Sequence, residues 1–279
     1  IRLIAPYPPG GGNDTMARTI GAKLTEEWRE QVIVDNRAGA NGLVAVELLM
    51  SAPPDGYTLL MANIGSHAIN PALYKNITYD AVKDFAPVSQ LANAPNVLVV
   101  HPSVAARNLT ELIALAKAKP GTLTYGSNGI GSSQHLAGAL FGTTFGVNMI
   151  HVPYKGTGPV MTDLAGGQIS LSFANMVAAL PLVRAKRLVT VGVTTLKRSP
   201  ALPDVPAIAE ASPGFEATSW WGIVATQGTP AAIVDTLHRA IVKGVRAPDT
   251  QALFTNMGVE AAGTTPREFA AFIKSELAK

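Results

Sequence analysis

Short apolar runs along this chain alternate with segments whose apolar residues recur every three or four positions, and small polar loops separate the two. The runs read as strands and the periodic segments as helices. Leu3 and Ile4 open the first strand, and Ile20, Leu24 and Trp28 then give one apolar face to a helix that ends before Gln31. A strand at 32–34, a helix at 43–50 and a strand at 57–62 follow. This alternation predicts an α/β protein with a mostly parallel sheet. The run at 97–100 predicts a buried strand, and its break at His101, Pro102 and Ser103 marks a lobe boundary. Beyond it come a helix at 109–119, strands at 123–125, 169–173 and 188–193, and a proline-rich surface loop at 197–206. A strand at 220–225 carries the chain back to the first lobe, and amphipathic helices at 231–245, 250–257 and 266–277 finish it.

Glycine and small polar residues concentrate where strands end. After the first strand, Gly10, Gly11 and Gly12 allow a sharp turn and a close approach to a ligand, and Asn13 or Asp14 is placed to cap the helix that follows. The N–H groups of that first helical turn, with the positive end of the helix dipole, make an anion site that suits carboxylate or phosphate. Four more such loops lie at 63–67, 127–133, 155–157 and 174–175. In open parallel sheets ligands bind at the carboxyl ends of strands, where all five loops are expected. Nucleotide motifs do not fit the first loop. A phosphate loop needs Lys and a hydroxyl residue after its last glycine, whereas Asn13 and Asp14 follow Gly12, and a dinucleotide fingerprint needs glycine where Thr15 stands.

Composition narrows the function class. With 279 residues, 47% of them hydrophobic, the chain can bury a sizeable core in two lobes. Its net charge is +3, but only 15% of residues are charged and no basic run or basic-aromatic stripe appears, so nucleic acid is not an expected partner. No apolar stretch reaches the roughly 18 residues of a membrane span. The absence of cysteine removes disulfides, thiolate catalysis and cysteine metal sites. The start at Ile1, already inside a strand pattern, is what a cleaved signal peptide would leave.

Catalysis finds little support. Neither Ser127 nor Ser132 sits in a Gly-x-Ser-x-Gly elbow, because Tyr125 and Ile130 stand where the first glycine is needed. Ser132 and His135, three apart at a helix start, form a pair that caps and packs more readily than it transfers protons. The five histidines show no metal-ligand spacing. His151 lies inside a strand pattern as a packed, hydrogen-bonded residue, while His67 and His135 follow polar loops and have a better claim on a ligand.

Several ordered motifs then point to one family. They are the stretch from Ile4 through Tyr7 to Asp14, the loop from Asp35 through Arg37 to Ala40, and Pro53, Pro54, Asp55, Gly56 and Tyr57. Asp84 to Val88, the helix end from Leu115 to Gly121, His151 to Gly156 and Leu202 to Pro206 continue the match. The chain resembles the tripartite tricarboxylate transporter substrate-binding proteins, also called Bug proteins, over nearly its whole length. The resemblance implies a type II periplasmic-binding-protein fold, two Rossmann-like α/β lobes joined by crossing hinge strands, with residues 1–100 and 222–279 in one lobe and 101–221 in the other. It implies a monomeric, non-enzymatic periplasmic receptor that closes on a small carboxylate, a dicarboxylate or aromatic acid, and delivers it to the permease subunits, with no cofactor and no metal. Carried onto this chain, the family's ligand loops are Tyr7, Gly11, Gly12, Asn13, Asp14, Ser66, Ser127, Ser132, His135 and Asn175. Many relatives carry Asp where Ala174 stands, and many carry Asp one position after Asp14. Two alternatives accompany this expectation: a receptor that presents its ligand to a sensor protein, and an α/β hydrolase or transferase acting on an anionic substrate.

Overall fold

Two sets of three parallel strands, each wrapped by helices, arise from the alternating pattern. The computed structural model describes residues 1–279 and falls into two units, one of Ile1–Asn93, Trp220–Phe254 and Glu260–Lys279, the other of Ala94–Ser219 and Thr255–Val259. The first unit begins with β1 (Arg2–Ala5), α1 (Gly12–Trp28), β2 (Ile33–Asn36), α2 (Leu43–Met50), β3 (Thr58–Asn63) and the short α3 (Asn70–Leu73). β4 (Phe85–Val100) carries the chain into the second unit. There α4 (Leu109–Ala118), β5 (Thr124–Ser127), α5 (Ser133–Phe145), β6 (Ile150–Pro153), α6 (Thr157–Ala165), β7 (Leu171–Asn175), α7 (Met176–Arg184) and β8 (Val189–Val193) follow. β9 (Thr218–Thr226) returns, and α8 (Ala231–Arg246), α9 (Pro248–Asn256), β10 (Glu260–Ala261) and α10 (Pro266–Ala278) close the chain.

In the first unit β1 lies between β2 and β3, all parallel, and β9 runs antiparallel beside β3. Met16, Ala17, Ile20 and Leu24 form the buried stripe of α1, while Trp28 stays half-buried at its end. Gly21 of this helix faces β2, where a Cβ would make van der Waals contact with the Val34 and Val32 side chains at 3.4 and 3.7 Å. On the other face Ile4, Leu60, Ala62, Trp220, Val224 and Phe269 share one core. Gly222 allows the Phe269 ring against β9, because a Cβ there would meet that ring at 2.2 Å.

In the second unit β5 lies between β6 and β7, all parallel, and β4 runs antiparallel between β7 and β8. The alternation of β4 divides its residues cleanly: Leu98 and Val100 join the core under α4 and α5 with Tyr125, Phe141 and Phe173, and Val97 and Val99 join the core under α6 and α7. Each fully buried side chain of this kind stabilises the fold by about 1.5–3 kcal/mol.

Three elements differ from the pattern reading. β4 begins at Phe85, twelve residues before the apolar run at 97, because Pro87, Pro95 and the amides Gln90, Asn93 and Asn96 obscure its alternation. α7 carries Pro181 in its interior, which hides it from a propensity argument. The sheet of each unit is mixed, with antiparallel strands beside its parallel trio. No helix is long and apolar enough to cross a membrane.

Candidate functional site

In the first unit the turn after β1 depends on glycine. Gly10 has φ of +89°, a left-handed conformation, and Gly11 sits at the N-cap of α1 with an extended backbone. No side chain caps this helix. Neither Asn13 nor Asp14 takes the expected capping role, because both lie inside the first turn. The Asp14 carboxylate folds back instead, accepting from the Gly10 N–H at 3.1 Å, Arg18 Nε at 3.0 Å and Asn36 Nδ2 at 3.0 Å. Burial raises its pKa, but these hydrogen bonds and the Arg18 charge outweigh that and hold the carboxyl below its ordinary value. Asp14 therefore braces the turn, and the N–H groups of Gly12 and Asn13 head a helix that has no side-chain cap.

Asn13 ties this turn to β3: its Oδ1 accepts from Asn63 Nδ2 at 3.1 Å, which leaves its own amide N–H groups as donors. Asn63 Oδ1 in turn accepts from the N–H groups of Gly65 and Ser66 at 2.8 and 3.2 Å. The polar loop expected at 63–67 is a buried π-helical turn, Gly65–Ile69. Gly65 is required there, since a Cβ would lie 2.9 Å from Asn63 Oδ1 and 3.0 Å from the Tyr7 hydroxyl. Tyr7 donates to Asn41 Oδ1 at 2.6 Å, and burial pushes its phenol upward. The Ser66 hydroxyl is wholly buried, within 3.2 Å of the Asn63 carbonyl and 2.9 Å of His67 Nδ1. Burial between Tyr79 and Phe85 drives the His67 imidazole down to about 3. Trp221 is a residue that pattern reasoning missed. It pairs with Asn63 across the β3–β9 ladder, so the two side chains share a face, and its buried indole N–H meets no acceptor within the chain.

In the second unit the loop after β5 brings Ser127, Ser132 and His135 together. The Ser132 hydroxyl donates to the Gly129 carbonyl at 2.7 Å and accepts from the His135 N–H at 3.3 Å, which makes Ser132 the N-cap of α5. His135 Nδ1 accepts from the Gly131 N–H at 3.2 Å, so the neutral ring carries its proton on Nε2. Its face stacks on His151 with centroids 4.1 Å apart, and His151 stacks on Tyr125 at 4.9 Å. Ser127 Oγ stands 2.6 Å from His151 Nε2 and 3.1 Å from the Gly129 carbonyl.

Ser127 with His151 has the spacing of a nucleophile and its base. Desolvation and then the neighbouring His135 push the His151 imidazole down to about 4, so at neutral pH it is a weak acceptor for a serine proton. Asn175 ends β7 and caps α7, its Oδ1 accepting from the Val177 N–H at 3.1 Å, while its buried Nδ2 meets no partner within the chain. Each unit thus ends its parallel strands in amide and hydroxyl groups held by one another. Their chemistry suits hydrogen bonding to an anion more than proton transfer.

The chain is similar to known proteins over nearly its whole length. The family described as "Tripartite tricarboxylate transporter family receptor" matches residues 16–279. The chain is 39% identical over 278 residues to the UPF0065 protein in the tcbD-tcbE intergenic region of Pseudomonas sp. strain P51, covering 99% of this chain and 82% of that protein. It is 34% identical over 279 residues to Protein BugT of Bordetella pertussis, covering 99% and 86%. Among solved structures, R. palustris Rpa4515 with adipate superposes with a TM-score of 0.97 at 36% identity, covering 100% of this chain and 93% of that one. MatC of Rhodopseudomonas palustris with bound malate gives 0.94 at 29% identity, covering 100% and 96%. The fold is that of the periplasmic binding proteins, and the chain belongs to the receptor family of the tripartite tricarboxylate transporters.

Proposed function

We propose that the protein is a periplasmic solute receptor that captures a small carboxylate, without turnover, and delivers it to the permease subunits of a tripartite tricarboxylate transporter. The observation that carries this reading is the first turn of α1, which follows a glycine-built turn, has no side-chain cap and is braced from behind by the already neutralised Asp14. A carboxylate complements such a helix start without a guanidinium or ammonium partner. The candidate donors of the first unit are Gly11, Gly12 and Asn13, and those of the second unit lie in the loops of Ser127, Ser132, His135 and Asn175. Tyr7, Asp14 and Ser66 act by holding those loops. Membership of the receptor family and the adipate and malate held by two structural relatives support a carboxylate ligand.

The test is a thermal-shift panel on protein unfolded and refolded to remove carried-over ligand. Aliphatic diacids, acidic amino acids, aromatic acids and phosphorylated compounds are compared. A true ligand at a hundred times its dissociation constant stabilises by about 2.7 kcal/mol and is recovered unchanged. Stabilisation by phosphorylated compounds alone, or consumption of the stabilising compound, refutes the reading.

A further inference from the structure

Two buried amides in the second unit face each other with unmatched hydrogen-bonding capacity. Asn96 on β4 is the register partner of Asn175 at the end of β7. Both backbone groups of Asn96 bond Thr194, its N–H donating to the Thr194 hydroxyl at 3.0 Å and its carbonyl accepting from the Thr194 N–H at 3.0 Å and the hydroxyl at 2.9 Å. The Asn96–Asn175 pair is therefore of the non-hydrogen-bonded type, in which opposed side chains come closest. Asn96 is 0% and Asn175 2% exposed.

The orientation of both amides is fixed by the backbone. Asn96 Nδ2 donates to the Ala217 carbonyl at 3.2 Å, which can only accept, so Oδ1 faces the other way. Asn175 Oδ1 accepts from the Val177 N–H, which can only donate, so Nδ2 faces the other way. The atoms left without a partner in the chain are an acceptor, Asn96 Oδ1, and a donor, Asn175 Nδ2.

We infer that Asn96 and Asn175 form a subsite for a ligand hydroxyl, so that the preferred cargo is a hydroxy-substituted carboxylic acid. This inference rests on the carboxylate-receptor reading above. A hydroxyl accepts from Asn175 Nδ2 and donates to Asn96 Oδ1, and so satisfies both atoms at once. A carboxylate oxygen matches only Asn175 and sets its charge against the Asn96 oxygen. An ammonium group matches only the acceptor and leaves the Asn175 donor unmet. Unmet buried groups are what let a site reject the analogue that lacks a hydroxyl.

The experiment is calorimetric titration of the refolded protein with matched pairs: malate and succinate, 2-hydroxyglutarate and glutarate, 2-hydroxyadipate and adipate, mandelate and phenylacetate, with both enantiomers of each hydroxy acid. For the skeleton that binds, one enantiomer of the hydroxy acid is expected to bind at least about tenfold more tightly than its deoxy partner. Asn96→Ala is expected to bring that ratio near one while deoxy-acid affinity changes less than about threefold. Asn175→Asp, which retains the acceptor for Val177 but replaces the free donor by an acceptor, is expected to abolish the preference as well. Carboxylates that bind with no preference for the hydroxyl, or a preference untouched in both variants, overturn the inference and leave the receptor reading standing. Failure of every acid to bind overturns both.

Discussion

The imidazoles of His135 and His151 stack with their planes 22° apart and their centres 4.1 Å apart, although nothing in the spacing of the two residues predicts it. Desolvation lowers both, and each proton placed on one opposes a proton on the other. The pair is therefore neutral at pH 7. In a proton-resonance titration His151 is expected to change state near pH 4, and His135→Leu to move that midpoint upward. A His151 midpoint near 6.5 in the unaltered protein contradicts this.

His67 makes the fold acid-sensitive. Its folded-state pKa of about 3 lies below the ordinary 6.5, so as pH falls through 6.5 the unfolded chain takes the proton first and stability is lost progressively until about 3. Near pH 5 this one group contributes a slope of up to about 1.4 kcal/mol per pH unit. Urea unfolding of His67→Leu is expected to show about 1 kcal/mol less stability at pH 7, from the lost Ser66 contact, with a flatter profile between pH 6.5 and 4. Parallel profiles for the two proteins would place the acid sensitivity elsewhere.

Asp14 links stability to the turn after β1. Its folded pKa is depressed, so its contribution is present above the ordinary carboxyl range and disappears as pH falls below it. Asp14→Ala removes the acceptor of the exposed Gly10 N–H and of one N–H of the Asn36 amide, whose other N–H keeps the Tyr7 carbonyl, and is expected to cost about 1–2 kcal/mol, together with weaker ligand binding. The exposed Arg18 partner contributes little, so Arg18→Ala should cost under about 1 kcal/mol. Equal costs for the two variants in denaturant melts would refute this division of roles.

Gly138 sets the seat of α5. A Cβ there would stand 2.2 Å from the Tyr125 ring, which itself stacks on His151. Gly138→Ala is expected to destabilise by about 1–3 kcal/mol by overpacking and to weaken ligand binding through displacement of Ser132 and His135. Unchanged stability and affinity would show that the helix has slack the packing does not suggest.

Periodicity exposed α1, α4, α8 and α10 because each carries a one-sided apolar stripe, and apolar runs exposed α2 and the parallel strands. It did not reach β4, whose prolines and amides break alternation, or α7, which tolerates Pro181. The candidate site was legible as loop composition: glycine and hydroxyl residues after strands are local signals. What those residues bond to was not. Asp14 as a brace, Ser132 as the cap of its own helix, Trp221 beside Asn63 and Asn96 opposite Asn175 depend on pairings between 3 and 158 positions apart. Only a sheet register brings the distant ones together, and no local pattern encodes it.

The most direct test of the receptor reading is calorimetric titration of one hydroxy-substituted carboxylate into the refolded wild-type protein and into Asn13→Ala and Asn175→Ala. One ligand per chain is expected in the wild type, with Asn13→Ala weakening binding by about tenfold, the value of a lost hydrogen bond to a charged group, and Asn175→Ala weakening it through loss of the hydroxyl's donor. A carboxylate that binds with affinity unchanged in either variant, or no binding of any carboxylate, would contradict the account.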